Sequence, residues 1–128
     1  MLQAIRNGCV VTLALVLAAS PVWVYPVSAH HGWSWAEDEN SELTGVVTKT
    51  ELGNPHGILT LDVAGESWKI EVGQPWRNKQ AGLTDEMLAP GAMLTAQGHR
   101  SANPDEKRLK AERIVISGKI YNLYPDRD

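Results

Sequence analysis

The chain has 128 residues, 43% apolar and 21% charged, with a net charge of −3 and no phenylalanine. That length suits one domain, and the acidic balance argues against nucleic acid as a main partner, which would need a basic surface. A single cysteine, Cys9, excludes an intrachain disulfide.

Residues 1–29 read as a leader. "MLQAIRNG" carries one base, Arg6, and no acid; "CVVTLALVLAA" (9–19) is an apolar run, and Pro21 and Pro26 stop any helix after it. A basic start, an apolar stretch of this length and small residues before a cut describe a signal peptide. Val27 and Ala29 fill the small-residue positions, so cleavage is expected after Ala29 rather than after Ser28. The run is short against the ~20 residues that span a bilayer, which sets the leader above an uncleaved anchor. Cys9 lies inside the run and reads as a small apolar residue. The processed chain would be periplasmic or secreted, off the membrane and monomeric. Without Arg6 it has 11 basic residues against 15 acidic, a net charge of −4, and no cysteine.

Residues 30–42 read as an N-terminal tip and linker, with "AEDENSE" (36–42) the polar linker. The domain proper is expected over 43–128. "LTGVVTKTEL" (43–52) is β-branched and reads as a first strand. "GNPHG" (53–57) is a turn, since Gly, Asn and Pro each favour reversal. "ILTLDVAG" and "SWKIEVG" form the clearest hairpin. Leu59, Leu61 and Val63 alternate with Thr60 and Asp62, and Trp68, Ile70 and Val72 alternate with Lys69 and Glu71. Such alternation puts one face in the core and the other in water.

"QPWRNKQAGLTDEMLAPG" (74–91) breaks the β pattern. Thr84 is placed to cap a short helix, with Asp85 and Glu86 in its first turn and Pro90-Gly91 ending it. "AMLTAQGHRSA" (92–102) resumes strand, "NPDEKRLK" (103–110) reads as a charged loop, and "AERIVISG" (111–118) is a last strand. "KIYNLYPDRD" is a tail with apolar Ile120, Leu123 and Tyr124. Three strands, a helical connection and two strands give the order of a mainly β, five-stranded OB-like Greek-key barrel. A β-sandwich is the rival architecture.

All four histidines sit in special places. His30 and His31 open the expected mature chain, His56 follows Asn54-Pro55, and His99 follows Gly98 beside Arg100. Imidazole suits copper, zinc and nickel. Cleavage after Ala29 gives His30 a free α-amine beside its own ring, and amine and Nδ1 can chelate one ion. A further nitrogen from His31, His56 or His99 closes a T-shaped set, a histidine brace, which suits Cu(II). Cleavage after Ser28 instead puts a histidine in third place, where amine, amides and imidazole make a square plane. Either way the α-amine, with an ordinary pKa of roughly 7.7–8.0, makes binding weaker in acid. Taken one at a time, each histidine reads more simply as a turn or strand-end residue; the group with its free terminus carries the metal reading.

Other features point less far. Glu71 and Glu112 resemble catalytic carboxylates only until their strand alternation is noticed, where solvated positions are expected. Arg77, Lys79, Arg100 and Arg113 lack a glycine-rich loop that opens a helix onto phosphate. No nucleophile elbow is present. Met87 and Met93 are isolated, and Trp76 reads as packing.

The string "HHGW", "LTGVV", "NPHG", "GHRS" and the closing "YNLYP" resembles a family of small secreted bacterial proteins catalogued as a domain of unknown function. The resemblance implies an exported β-rich domain and supplies no activity. The chain also superficially resembles small periplasmic copper chaperones with OB barrels, but it has no methionine pair on neighbouring strands. That departure favours Cu(II) nitrogen ligation over Cu(I). The leading expectation is therefore a periplasmic, non-enzymatic copper carrier or buffer using His30, His31, His56 and His99. The alternative is a metal-free cell-envelope module presenting Trp33, Trp35 and Trp76 to a protein or oligosaccharide. A third, an enzyme with an acid–base histidine, lacks a partnered carboxylate.

Overall fold

A computed structural model describes residues 32–127. The expected leader, its cut site and His30 and His31 lie outside them. The described chain is mainly β. It runs β1 (Ala36–Glu51), β2 (Ile58–Val63), β3 (Glu66–Glu71), α1 (Pro75–Gln80), a 3₁₀ turn (Glu86–Leu88), β4 (Met93–Ser101), β5 (Arg108–Ile116) and β6 (Lys119–Asn122).

The strand order is β3-β2-β1-β4-β5-β6, and a parallel β3–β5 pairing closes the sheet on itself. A five-stranded closed sheet with β1 shared between β2 and β4 is the OB-type barrel, with β6 added outside β5. One long strand serves two neighbours here. Residues 36–46 of β1 pair with β4 and residues 46–51 pair with β2. Register shifts between Ala36 and Asn40 and between Val47 and Lys49 mark where it bends.

The interior is built by alternation. Leu59 and Leu61 of β2, Ile70 of β3, Leu94 and Ala96 of β4, and Leu109 and Ile114 of β5 are all buried. The hairpin turns at Ala64-Gly65, both with positive φ, and the Asp62 carboxylate accepts from the Gly65 amide at 2.9 Å. Leu83 and Leu88 from the connection complete the core. Gly98 is needed where β4 presses on β5, because a Cβ there would collide with the Lys110 carbonyl.

The structure corrects four local expectations. The stretch 36–42 is no linker: it is the first part of β1, hydrogen-bonded to β4. The helix sits at Pro75–Gln80, where Pro75 at the first helical position presets φ and loses no needed hydrogen bond. Thr84 instead faces the Met87 amide at 3.4 Å, beside the 3₁₀ turn. Residues 108–110, read as loop, open β5, and the tail supplies β6, in which Tyr121 is buried and Ile120 exposed.

Candidate functional site

The outer face of β3, β5 and β4 carries an unusual row. Register places Glu71 beside Lys110, Lys110 beside His99, and His99 beside Asn40 of β1. Residues directly opposite on neighbouring strands share a face, so four strands contribute one polar line. Glu112 lies two residues along β5 on the same face. The alternation that assigns Glu71 and Glu112 to the non-core face is correct. Their expected solvation is not, because both are buried, as is Lys110 at 1% exposure. Chain from both ends covers them.

The N-terminal cover is a turn at residues 32–35, closed by the Ala36 amide on the Trp33 carbonyl at 3.0 Å. The Ala102 amide donates to the Trp35 carbonyl at 2.9 Å and fixes the turn to the end of β4. Trp33 then lies over the row. Its ring meets His99 and Tyr124 edge-on, with centroids 5.6 and 5.2 Å apart. Two cations face the same indole: Arg127 at 3.9 Å and Lys110 at 4.9 Å. Arg108 stacks on Trp35 at 3.7 Å. Contacts of these kinds are worth about 0.5–2 kcal/mol each when partly desolvated. The C-terminal cover is held by the Leu123 amide on the Glu112 carbonyl at 2.8 Å.

Beneath this cover the charges are paired. Glu71 accepts from Lys110 at 2.7 Å and from Arg108 at 2.7 Å. Burial pushes the Glu71 carboxyl up, but these hydrogen bonds and the nearby positive charges outweigh it and hold the group below the ordinary carboxylate value. Glu112 behaves alike: burial opposes ionisation, and hydrogen bonds from His99 and Arg127 prevail. A buried charge tolerates its site only when paired in this way.

The histidines divide sharply. His99 is buried, and its Nε2 lies 2.6 Å from the Glu112 carboxylate while Nδ1 lies 3.1 Å from the Glu39 carbonyl. Both partners are acceptors, so the ring that satisfies them donates from both nitrogens. Neither nitrogen is left for a metal in this arrangement. His56 is different. Its Nε2 is 3.5 Å from the Glu71 carboxylate, and among the described residues nothing hydrogen-bonds its buried Nδ1. Burial is the first cause that holds His56 below its ordinary value, the Lys110 charge adds to it, and Glu71 works against both. A ring kept neutral retains the lone pair that ligation requires.

The first described residue reaches this ring. Gly32 has φ +88°, and a Cβ there would stand 3.2 Å from the Lys110 ammonium and 3.6 Å from His56 Nε2. The chain therefore passes His56 immediately after the paired histidines of the sequence. His56 and His99 both lie at the polar row, His56 against Glu71 and His99 beside Lys110. Among the described residues no group of three or more His, Cys, Asp or Glu is arranged to hold a metal ion. Of the two described histidines, His56 is the one whose ring keeps a nitrogen without a hydrogen-bond partner among the described residues.

Sequence reasoning missed the Lys110–Glu71 and His99–Glu112 pairs, and with the second of them a carboxylate partnered to a histidine. Their signal was an excess of charged residues on β5, read partly as loop. Trp33 is engaged by cations and neighbouring rings and Trp35 by Arg108, whereas Trp76 is 55% exposed beside Arg77.

Comparison with known proteins places the chain. Residues 18–110 match a family of unknown function (DUF6152), and the chain belongs to it. No curated protein matches. Among solved structures it is similar to the ZRD-deleted mutant of TiaS in complex with agmatine, at 18% identity and TM-score 0.47, covering 66% of this chain and 26% of that one. It is also similar to the S. pombe Stn1-Ten1 complex, at 16% identity and TM-score 0.47, covering 59% of this chain and 56% of that one. A complex of TiaS with tRNA and ATP gives 20% identity and TM-score 0.46, covering 61% of this chain and 18% of that one. The chain thus spans about a fifth to about half of these chains.

Proposed function

For this member of the family we propose a copper-binding role in the periplasm: carriage or buffering of Cu(II), taken as cargo by His56 together with nitrogen donors of His30 and His31. Leader removal after Ala29 would free the His30 amine, and amine and ring would chelate while His56 closes the set. The observation that carries the reading is the seating of Gly32 beside an imidazole whose buried Nδ1 has no partner among the described residues. Two supporting features follow from chemistry. A neutral imidazole suits Cu(II) nitrogen ligation, and Glu71 offsets the positive charge of Lys110 and Arg108 around the ring. His99 drops out of the donor set, since both its nitrogens are used by Glu112 and Glu39.

The test is a Cu(II) titration of the secreted, processed protein, with intact mass reporting the terminus and the stoichiometry. One extra residue before His30, and separately His56→Ala, should each weaken binding by more than roughly 100-fold, beyond the 10–100-fold typical of losing an outer-shell partner. Unchanged affinity in both variants contradicts the reading.

A further inference from the structure

We infer that Trp33 is the positioning residue that holds the N-terminal tip beside His56. The inference deepens the copper reading, and its use in metal binding rests on it. The geometry is specific. Among the described residues of the tip, Trp33 is the one that touches the polar row, the C-terminal tail and β4 together. Its indole meets the Lys110 ammonium at 4.9 Å and the Arg127 guanidinium at 3.9 Å, and packs edge-on with His99 and Tyr124.

Each of those partners is itself fixed. Lys110 is bound to Glu71, Arg127 to Glu112 at 3.1 Å, and His99 to Glu112. The ring is thereby clamped by groups anchored on β3, β5 and the tail. Gly32, adjacent in the chain, can depart from His56 only if that clamp opens. No other described residue of the tip has an equivalent seat: Ser34 is exposed and Trp35 stacks on Arg108, at the start of β5. This explains why a polar row is buried at all. Its charges serve as a rigid seat for an aromatic ring, and the ring fixes where the terminus lies. An outer-shell group that orients a ligand in this way typically accounts for about 10–100-fold in metal affinity.

The experiment has two arms on the processed full-length protein. Without metal, amide hydrogen exchange is compared in the wild type, Trp33→Ala, Trp33→Phe and Arg127→Ala. Trp33→Ala should speed exchange at Ala36 and Ala102, whose amides the turn protects, and leave the amides of β2 and β3 unchanged. Arg127→Ala, which removes a side chain outside the apolar core and leaves Glu112 its bond to His99, should move the same two amides in the same direction by less, and Trp33→Phe should restore part of the protection. With Cu(II), Trp33→Ala should lose about 10–100-fold in affinity and show the His56 nitrogen missing from the copper EPR spectrum, with Trp33→Phe recovering it. Protected Ala36 and Ala102 amides in Trp33→Ala overturn the inference whatever copper does. A wild type that binds no copper through His56, with exchange behaving as stated, sinks the copper reading and leaves Trp33 as the anchor of the tip.

Discussion

The two faces of the β3–β5–β4 surface are both dry, and they are dry for different reasons. The inner face is apolar: Ile70, Leu109, Ala111 and Ala96 exclude water by packing on one another. The outer face carries Glu71, Lys110, Glu112 and His99, and it excludes water only because a tryptophan turn and the C-terminal tail lie across it. The inner face belongs to the barrel. The outer one is conditional on the tip, and it is the face next to His56, whose Nδ1 has no hydrogen-bond partner among the described residues. Burial alone therefore does not identify the core of this protein; what does the burying separates structure from site.

The comparison breaks first at its inner side. Leu61→Ala removes a fully buried side chain of β2 and should cost about 2–5 kcal/mol by chemical denaturation, with no specific effect on exchange in the tip. Equal loss of protection at the tip and in the core would mean that the two faces do not separate.

Glu112→Gln strikes the outer side. It keeps shape and removes the charge that both His99 and Arg127 face, and should cost about 2–3 kcal/mol. The acid limb sharpens this prediction. Glu71 and Glu112 have folded pKa values below the ordinary 4.5, so their contribution is fully present above that value. It is lost as the pH falls through the lower folded values. The variant should show a shallower loss of stability over that window than the wild type. Parallel curves would show that Glu112 contributes nothing through its charge.

Much of the fold is legible in the sequence. Alternation in 58–63 and 67–72 locates the hairpin and its inner face, and the strand order implies the barrel. The first part of β1 is not legible, because an outer strand segment made of Glu, Asp and Asn has no apolar signal of its own; β4 supplies its partner. The helix lies earlier than a capping threonine suggests, because the proline at its start is the stronger signal, and Thr84 serves a 3₁₀ turn instead. For the site, sequence spacing gives His56 and His99 equal rank. Only the three-dimensional neighbours of each ring, Glu112 and Glu39 for one and an unpartnered Nδ1 for the other, tell a structural histidine from an available one. The burial of Glu71 and Glu112 is invisible for the same reason: alternation assigns a face and says nothing of what will cover it.

The central claim is that the tip brings nitrogen donors to His56. Pulsed EPR of the processed protein loaded with one Cu(II) per chain tests it most directly. The account predicts an imidazole coupling in the wild type that disappears from one site in His56→Ala while the terminal amine coupling persists. Identical spectra from the two proteins would contradict it.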